Sequence, residues 1–314
     1  MPLFPRPLLT NGATHPAEQF RMMIRDMVSG AEGITEGDDL KVTELDTPGG
    51  GVQISDGSGV VRGRVQPFQG HYAVCNTGTD TSVEIAANGG GATRYDMVIV
   101  RVEDPEYEGT LDPAADEISY FQVISSVGAA DTEIPDGRTG IPLARIAIPP
   151  ATSTITDAMI TDLRQVAVPR RHRPVSTQSP ASISTGIGGS TSWSYFDTAA
   201  GVNVAIPEWA TKAIIKIDVS PIRYALGNFW GKIGATFGAS LTTQDITLDD
   251  NQGTGVRRIG SVIADTLTIP SAYRGTTQLL RVRAAGIANP QDGRVYVDSG
   301  TTLAYDVQFE EGPR

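Results

Sequence analysis

The sequence predicts a mainly β protein, with an N-terminal α+β domain holding one amphipathic helix and a C-terminal antiparallel β-sandwich of jelly-roll type. Three observations predict this. Apolar residues alternate with polar ones along most of the chain, the period-2 signature of strands with one face in a core. Glycine (35) and proline (20) punctuate those alternations, as many short strands and tight turns require. Helical periodicity stands out in a single stretch near the start. A length of 314 residues suffices for two domains, each with its own core.

Taken in order, the chain first reads as an extended arm over residues 1–13, because Pro2, Pro5 and Pro7 each disfavour helix in the residue before them. Such an arm suits docking on a neighbouring subunit. A helix over residues 14–29 follows, with Thr14 as N-cap and Pro16 in the first turn, where a missing N–H costs nothing. Phe20, Met23, Ile24, Met27 and Val28 recur at helical spacing as its buried face, with Glu18, Arg21, Arg25 and Asp26 mostly opposite. Ser29-Gly30 ends it. A β region spans residues 40–168, where Asp56-Gly57, Asn88-Gly89 and the glycine run at 49–51 mark hairpin turns. Cys75, the lone cysteine, excludes an internal disulfide and a cysteine-based zinc site, and its strand context reads as a buried structural thiol. Residues 103–117 are acidic and broken by Pro105, Gly109 and Pro113, an exposed loop leading to a return strand at 118–124. Thr154 or Thr156 caps a short helix through Leu163, and the domain, residues 1–168, ends there. Residues 169–190 read as a semi-extended linker, rich in Pro, Ser, Thr and Gly. The last domain, residues 191–314, carries strands at 192–196, 202–206, 212–219, 232–237, 241–248, 256–263, 265–269, 278–284, 294–298 and 302–309.

Two segments carry a family likeness. The first is Gly89-Gly90-Gly91-Ala92-Thr93-Arg94-Tyr95-Asp96-Met97-Val98-Ile99-Val100-Arg101-Val102, and the second is Ile141-Pro142-Leu143-Ala144-Arg145-Ile146-Ala147-Ile148-Pro149 closing with Ile155 to Arg164. Upstream, Val52-x-Ile54-x-x-Gly57-x-Gly59-x-Val61-x-Gly63 and Gly70-His71-Tyr72-Ala73-Val74 add to it. Over residues 1–168 the chain resembles tail-tip and baseplate proteins of bacteriophages, the minor tail proteins of phages of actinobacteria especially. The resemblance implies a virion protein of the distal tail, made in the host cytoplasm and assembled as a homotrimer with other tail-tip or baseplate proteins. It also implies anchorage at the tail tip and presentation of the outer domain for attachment to host-surface carbohydrate. A purely architectural subunit without receptor binding and a glycan-cleaving tail enzyme are the alternatives.

Charge bears on the function classes. Residues 1–165 hold 11 basic and 24 acidic side chains, a net of −13, whereas residues 180–314 hold 11 and 12. An acidic front half argues against nucleic-acid binding, which needs a basic surface. The basic run Arg170-Arg171-His172-Arg173 reads as solvated linker or a dock for an acidic neighbour. No stretch of eighteen apolar residues occurs, so no membrane insertion by a helix is expected, and the start has no secretory-signal pattern.

Catalysis finds no constellation. His15, His71 and His172 sit in unrelated contexts, and Gly57-Ser58-Gly59 lacks the spacing of a nucleophile elbow. Two acidic runs, 103–108 and 245–251, offer oxygen ligands for calcium but lack an EF-hand register, and they read as exposed turns. No cofactor, no metal and no enzymatic activity are therefore expected. For carbohydrate contact the candidates are Trp193, Trp230 and Tyr224, since an aromatic face beside polar groups docks a sugar ring; packing in the sandwich core is the competing role.

Overall fold

The computed structural model describes residues 4, 6–196, 200–287 and 292–314. The chain divides into two compact units, Met1–Pro169 with Gly312–Arg314, and Arg170–Glu311.

The first unit opens with α1 (Ala17–Met27). Strands β1 (Gly33–Ile34), β4 (Gly57–Arg62) and β5 (His71–Asn76) form one three-stranded sheet, and β2 (Val42–Glu44), β3 (Gly51–Ile54) and β6 (Asp80–Glu84) another. A four-stranded antiparallel sheet runs β10-β9-β7-β8, from β7 (Arg94–Val102), β8 (Ser119–Ile124), β9 (Gly140–Ile148) and β10 (Ile160–Asp162). The half-buried strand expected at 94–102 is buried on both faces. Val98, Val100 and Val102 join Val52, Ile54 and Leu143 in the main core, while Met97 and Ile99 pack with Leu163 on the other side. A central strand sandwiched this way reads as a near-continuous apolar run, as 97–100 does.

Arg94 and Asp96 share one face of β7 and form a bidentate pair. Arg94 Nε lies 2.9 Å and Nη2 2.8 Å from the Asp96 carboxylate, which is wholly buried and also accepts from the Ser126 N–H at 3.0 Å. Arg94 donates further to the carbonyls of Ala86 and Ala87, so one ion pair ties two flanking loops to the central strand. Arg101, on the opposite face, pairs with Glu108 at 2.9 Å.

The helix inverts the expected polarity. Its apolar residues Phe20 and Met27 are exposed, while Gln19 and Arg21 are buried. Arg21 donates to the Gln69 carbonyl (2.8 Å), Glu106 (3.0 Å) and the Tyr107 hydroxyl (2.8 Å), and its guanidinium lies over the rings of Tyr72 and Tyr107. Gly70, at φ +80°, makes this approach possible: a Cβ there would stand 2.6 Å from the Arg21 backbone. The acidic loop is thus partly consumed as the helix's dock, with Asp104 also accepting from Tyr72 at 2.7 Å.

Other local expectations are corrected. The helix begins at Ala17 with Pro16 at the cap position, and no side chain caps it. The arm, described at Phe4 and from Arg6, bends through turns, and Gln19 Nε2 donates to the Arg6 carbonyl at 2.7 Å; Pro2 and Pro5 lie outside the described residues. The short helix after Thr156 is one 3-10 turn, Asp157–Met159, running into β10. Cys75 is exposed, because Val74 takes the inward position beside it.

The second unit begins earlier than expected. Residues read as linker supply β11 (Arg171–His172) and β12 (Val175–Gln178), both paired with the final strand β22 (Thr302–Glu310). Cross-strand ion pairs hold them: Arg171 with Glu310, Arg173 with Asp306 and Arg170 with Glu311. Between them run β13 (Ser194–Tyr195), β14 (Gly201–Ala205), β15 (Lys212–Ala225), β16 (Phe229–Phe237), β17 (Leu241–Thr242), β18 (Ile246–Asp250), β19 (Arg257–Thr268), β20 (Thr277–Gly286) and β21 (Arg294–Tyr296). The last residues, Gly312–Arg314, return to the first unit, where buried Arg164 donates to the main-chain oxygen of Arg314 at 3.0 Å.

Two six-stranded sheets result. Counting β12, β14, β15, β16, β18, β19, β20 and β22 as strands one to eight, the sheets are ordered 1-8-3-6 and 2-7-4-5, the jelly-roll arrangement. Inward residues of both, among them Ile215, Ile217, Phe229, Phe237, Val282 and Phe309, share one core. Each such aromatic or branched side chain contributes about 1.5–3 kcal/mol by leaving water.

Candidate functional site

The outer face of the sheet built on β20 and β16 gathers aromatic and cationic side chains. Alternation along β20 sends Leu280, Val282 and Ala284 into the core and Leu279, Arg281 and Arg283 outward. On the neighbouring strand, Trp230, Lys232, Gly234 and Thr236 face the same way, because Lys232 pairs with Ala285, Gly234 with Arg283 and Thr236 with Arg281. Across the other edge, Tyr195 of β13 stands opposite Arg283.

Rings and cations interleave here. Lys232 Nζ lies 4.6 Å and Arg283 Cζ 4.2 Å from the Trp193 ring centre, and Arg281 Cζ lies 4.4 Å from that of Tyr195. The Tyr195 hydroxyl reaches Thr236 Oγ1 at 3.3 Å, which fixes its ring across β20. Small residues clear the floor: the Trp193 ring comes to 3.6 Å from the point where a Gly234 Cβ would stand. Asp245 neutralises Lys232 at 3.1 Å, and Asp249 stands opposite Trp230. Trp230, Tyr195 and Leu279 are 48 %, 41 % and 41 % exposed on this face, Trp230 level with Ile287 at one end of β20 and Leu279 towards the other.

The three residues singled out from the sequence part company. Trp193 and Trp230 lie on this face. Trp193 has two cations over its ring already, so its role is to position Lys232 and Arg283 rather than to stack against a sugar. Tyr224 is not a surface residue. It is 2 % exposed on β15, packs edge-on against Phe229 at 6.0 Å, and burial pushes its hydroxyl pKa up to about 12. Trp209, the third tryptophan, packs against the core beneath Arg170. Arg281, Arg283 and Leu279 escaped sequence reasoning, although Arg-x-Arg on an alternating strand already places both guanidiniums on the solvent face.

Elsewhere the chemistry is structural. Among the described residues no group of three or more His, Cys, Asp or Glu is arranged to hold a metal ion. In the acidic runs, Glu106 and Glu108 pair with Arg21 and Arg101, and Asp250 with Arg257. A cleft of about 930 Å³ in the first unit lies along β5, β6 and β8, and its lining includes Cys75, Asp80, Glu84 and Glu117. His71 is buried, and burial lowers its pKa. No described helix is long and apolar enough to cross a membrane.

No protein-family model matches the chain, and no curated protein matches its sequence. Among solved structures, the chain aligns with infectious bursal disease virus, Gx strain, at 9% identity over 91% of this chain and 76% of that one, with a TM-score of 0.26. The VP2 subviral particle of the same virus aligns at 14% identity over 93% and 86%, with a TM-score of 0.24. A protein crystallised with neoagarooctaose aligns at 10% identity over 86% and 34%, again at 0.24. Likeness at such TM-scores carries no argument, and the jelly-roll assignment rests on the strand order itself.

Proposed function

We propose that the protein is a structural virion component of a phage tail tip or baseplate. In this reading the first unit anchors it in the tail and the jelly roll presents the β20–β16 face to carbohydrate on the host surface. The anchoring half rests on the resemblance of residues 1–168 to minor tail proteins and on a strongly acidic first unit suited to a defined protein neighbour. The observation that carries the binding half is half-exposed Tyr195 beside the outward Arg281 and Arg283, with Trp230 exposed further along the same face. An apolar ring face beside oriented donors is what a sugar ring requires. Jelly rolls recur in viral and lectin domains, an analogy at fold level that agrees with this reading. A homotrimer would convert a weak single site into firm attachment through simultaneous engagement. The protein acts by binding, without turnover.

A glycan array probed with the full chain tests the binding half. Wild type should bind a defined subset of glycans and release no product, and Trp230→Ala with Tyr195→Ala should abolish the signal while the thermal midpoint stays put. Binding that survives both substitutions would move the site elsewhere. Immunogold labelling of intact particles tests the anchoring half: label at the distal tail supports it, and label confined to the head overturns it.

A further inference from the structure

We infer that the β20–β16 face selects acidic saccharides, sugars carrying a carboxylate, phosphate or sulfate, through Arg281 and Arg283. This rests on the carbohydrate-binding reading above and names the ligand class of the same site.

The unit's other arginines are all engaged. Arg170, Arg171, Arg173, Arg223, Arg257 and Arg258 each meet a carboxylate, and Arg274 and Arg294 donate to main-chain carbonyls. Among the described residues of this unit, Arg281 and Arg283 stand apart: neither has a hydrogen bond or an ion pair. Their Nε atoms are covered and unpaired. The terminal guanidinium nitrogens are not covered, and they too have no partner. Both side chains are nonetheless held in place, Arg283 over Trp193 and Arg281 over Tyr195.

A guanidinium stacked on a ring keeps its flat face on the aromatic and its N–H edge turned away, ready for a planar oxyanion. Ordering a long side chain costs rotamer entropy, and here the stacking offsets that cost before any ligand arrives. The two arginines are two apart on one strand, so their outward side chains are neighbours on that face, spaced to grip one anionic substituent while the sugar rests beside the exposed part of Tyr195. A neutral sugar would leave both charges unanswered. Of the described acids near this face, Asp249 stands opposite Trp230 and Asp245 is already taken by Lys232, so neither pairs with Arg281 or Arg283. A nucleic acid strand fits less well. Base stacking needs open ring faces in series, but the Trp193 and Tyr195 rings already carry cations.

The test uses the full chain against immobilised hexuronates, hexose 6-phosphates and hexose 6-sulfates beside their neutral parent hexoses, with a single-stranded oligonucleotide as control. At least one acidic sugar should bind ten times or more tighter than its neutral parent. Arg281→Gln with Arg283→Gln should remove that preference, reducing acidic-sugar affinity by about tenfold or more and bringing it level with that for the neutral parent. Raising salt from about 50 mM to about 500 mM should weaken wild-type binding to acidic sugars, a readout that stands even if the double variant misfolds. Equal affinity for neutral and acidic sugars overturns the inference and leaves the carbohydrate reading intact. Absence of binding to any sugar overturns both. Tighter binding to the oligonucleotide than to every acidic sugar also overturns it.

Discussion

Asp96→Ala should cost the first unit about 3 kcal/mol. Asp96 is wholly buried and accepts from Arg94 Nε at 2.9 Å, Arg94 Nη2 at 2.8 Å and the Ser126 N–H at 3.0 Å. The substitution strands the Ser126 N–H, worth about 1–3 kcal/mol, and removes the counter-ion of Arg94. Breaking a fully buried pair costs about 3–5 kcal/mol, but the Arg94 side chain is 21% exposed and keeps the Ala86 and Ala87 carbonyls, which holds the loss to the low end. For a unit of this size each kcal/mol lowers the melting temperature by about 2–4 °C, so a drop of about 6–12 °C is expected. Calorimetry of the full chain reads it. Tryptophan fluorescence gives an internal reference, since Trp193, Trp209 and Trp230 all lie in the second unit, and its transition should move little. A double-mutant cycle with Arg94→Ala should return a coupling above about 1 kcal/mol. A drop below about 2 °C with no coupling would refute the view that this pair locks the central strand.

Three further outcomes are expected. Arg21→Ala should destabilise the first unit by about 3 kcal/mol in urea, whereas Met27→Lys on the exposed helix face should stay within about 0.5 kcal/mol; the reverse order would contradict the polar docking of α1. Asp298 and Asp306 are held below the usual carboxylate range by Arg258 and Arg173. Their folded pKa values therefore lie below the unfolded value of about 3.9, so their stabilisation is present above that pH and lost as pH falls through the folded values. Urea midpoints followed from pH 6 downward should fall most steeply below about pH 4, and Asp298→Asn should flatten that fall; an unchanged slope would reject it. Cys75 should react with a thiol reagent in the native protein at a rate within a few-fold of the unfolded chain, and slow native reaction would place it in the core after all.

Local pattern made some of this structure legible and hid the rest. The jelly-roll strands from 201 onward follow from alternation, because each needs only its own side chains to declare an inward face; the segments read separately at 256–263 and 265–269 are one strand, β19. Arg94 and Asp96 were readable as a pair from a spacing of two on a strand. Residues 170–178 were not readable as strands, since their partners Glu311, Glu310 and Asp306 lie more than 130 residues away. The inward turn of Arg21 likewise depends on Gln69, Glu106 and Tyr107, none of them local. Tyr224 was misplaced because Pro221 interrupts the alternation; the register shift between Val219 and Ile222 carries β15 onward and keeps Tyr224 inside. Cys75 is different, for the inward position of Val74 was sufficient to turn it outward.

The central claim is that the β20–β16 face of a tail-borne jelly roll engages the host surface, and adsorption competition tests it most directly. Purified full chain should block adsorption of the parent phage to host cells in a saturable manner, while the Trp230→Ala, Tyr195→Ala variant at the same concentration should not. Undiminished adsorption at saturating wild-type protein, or equal blocking by the variant, would contradict it.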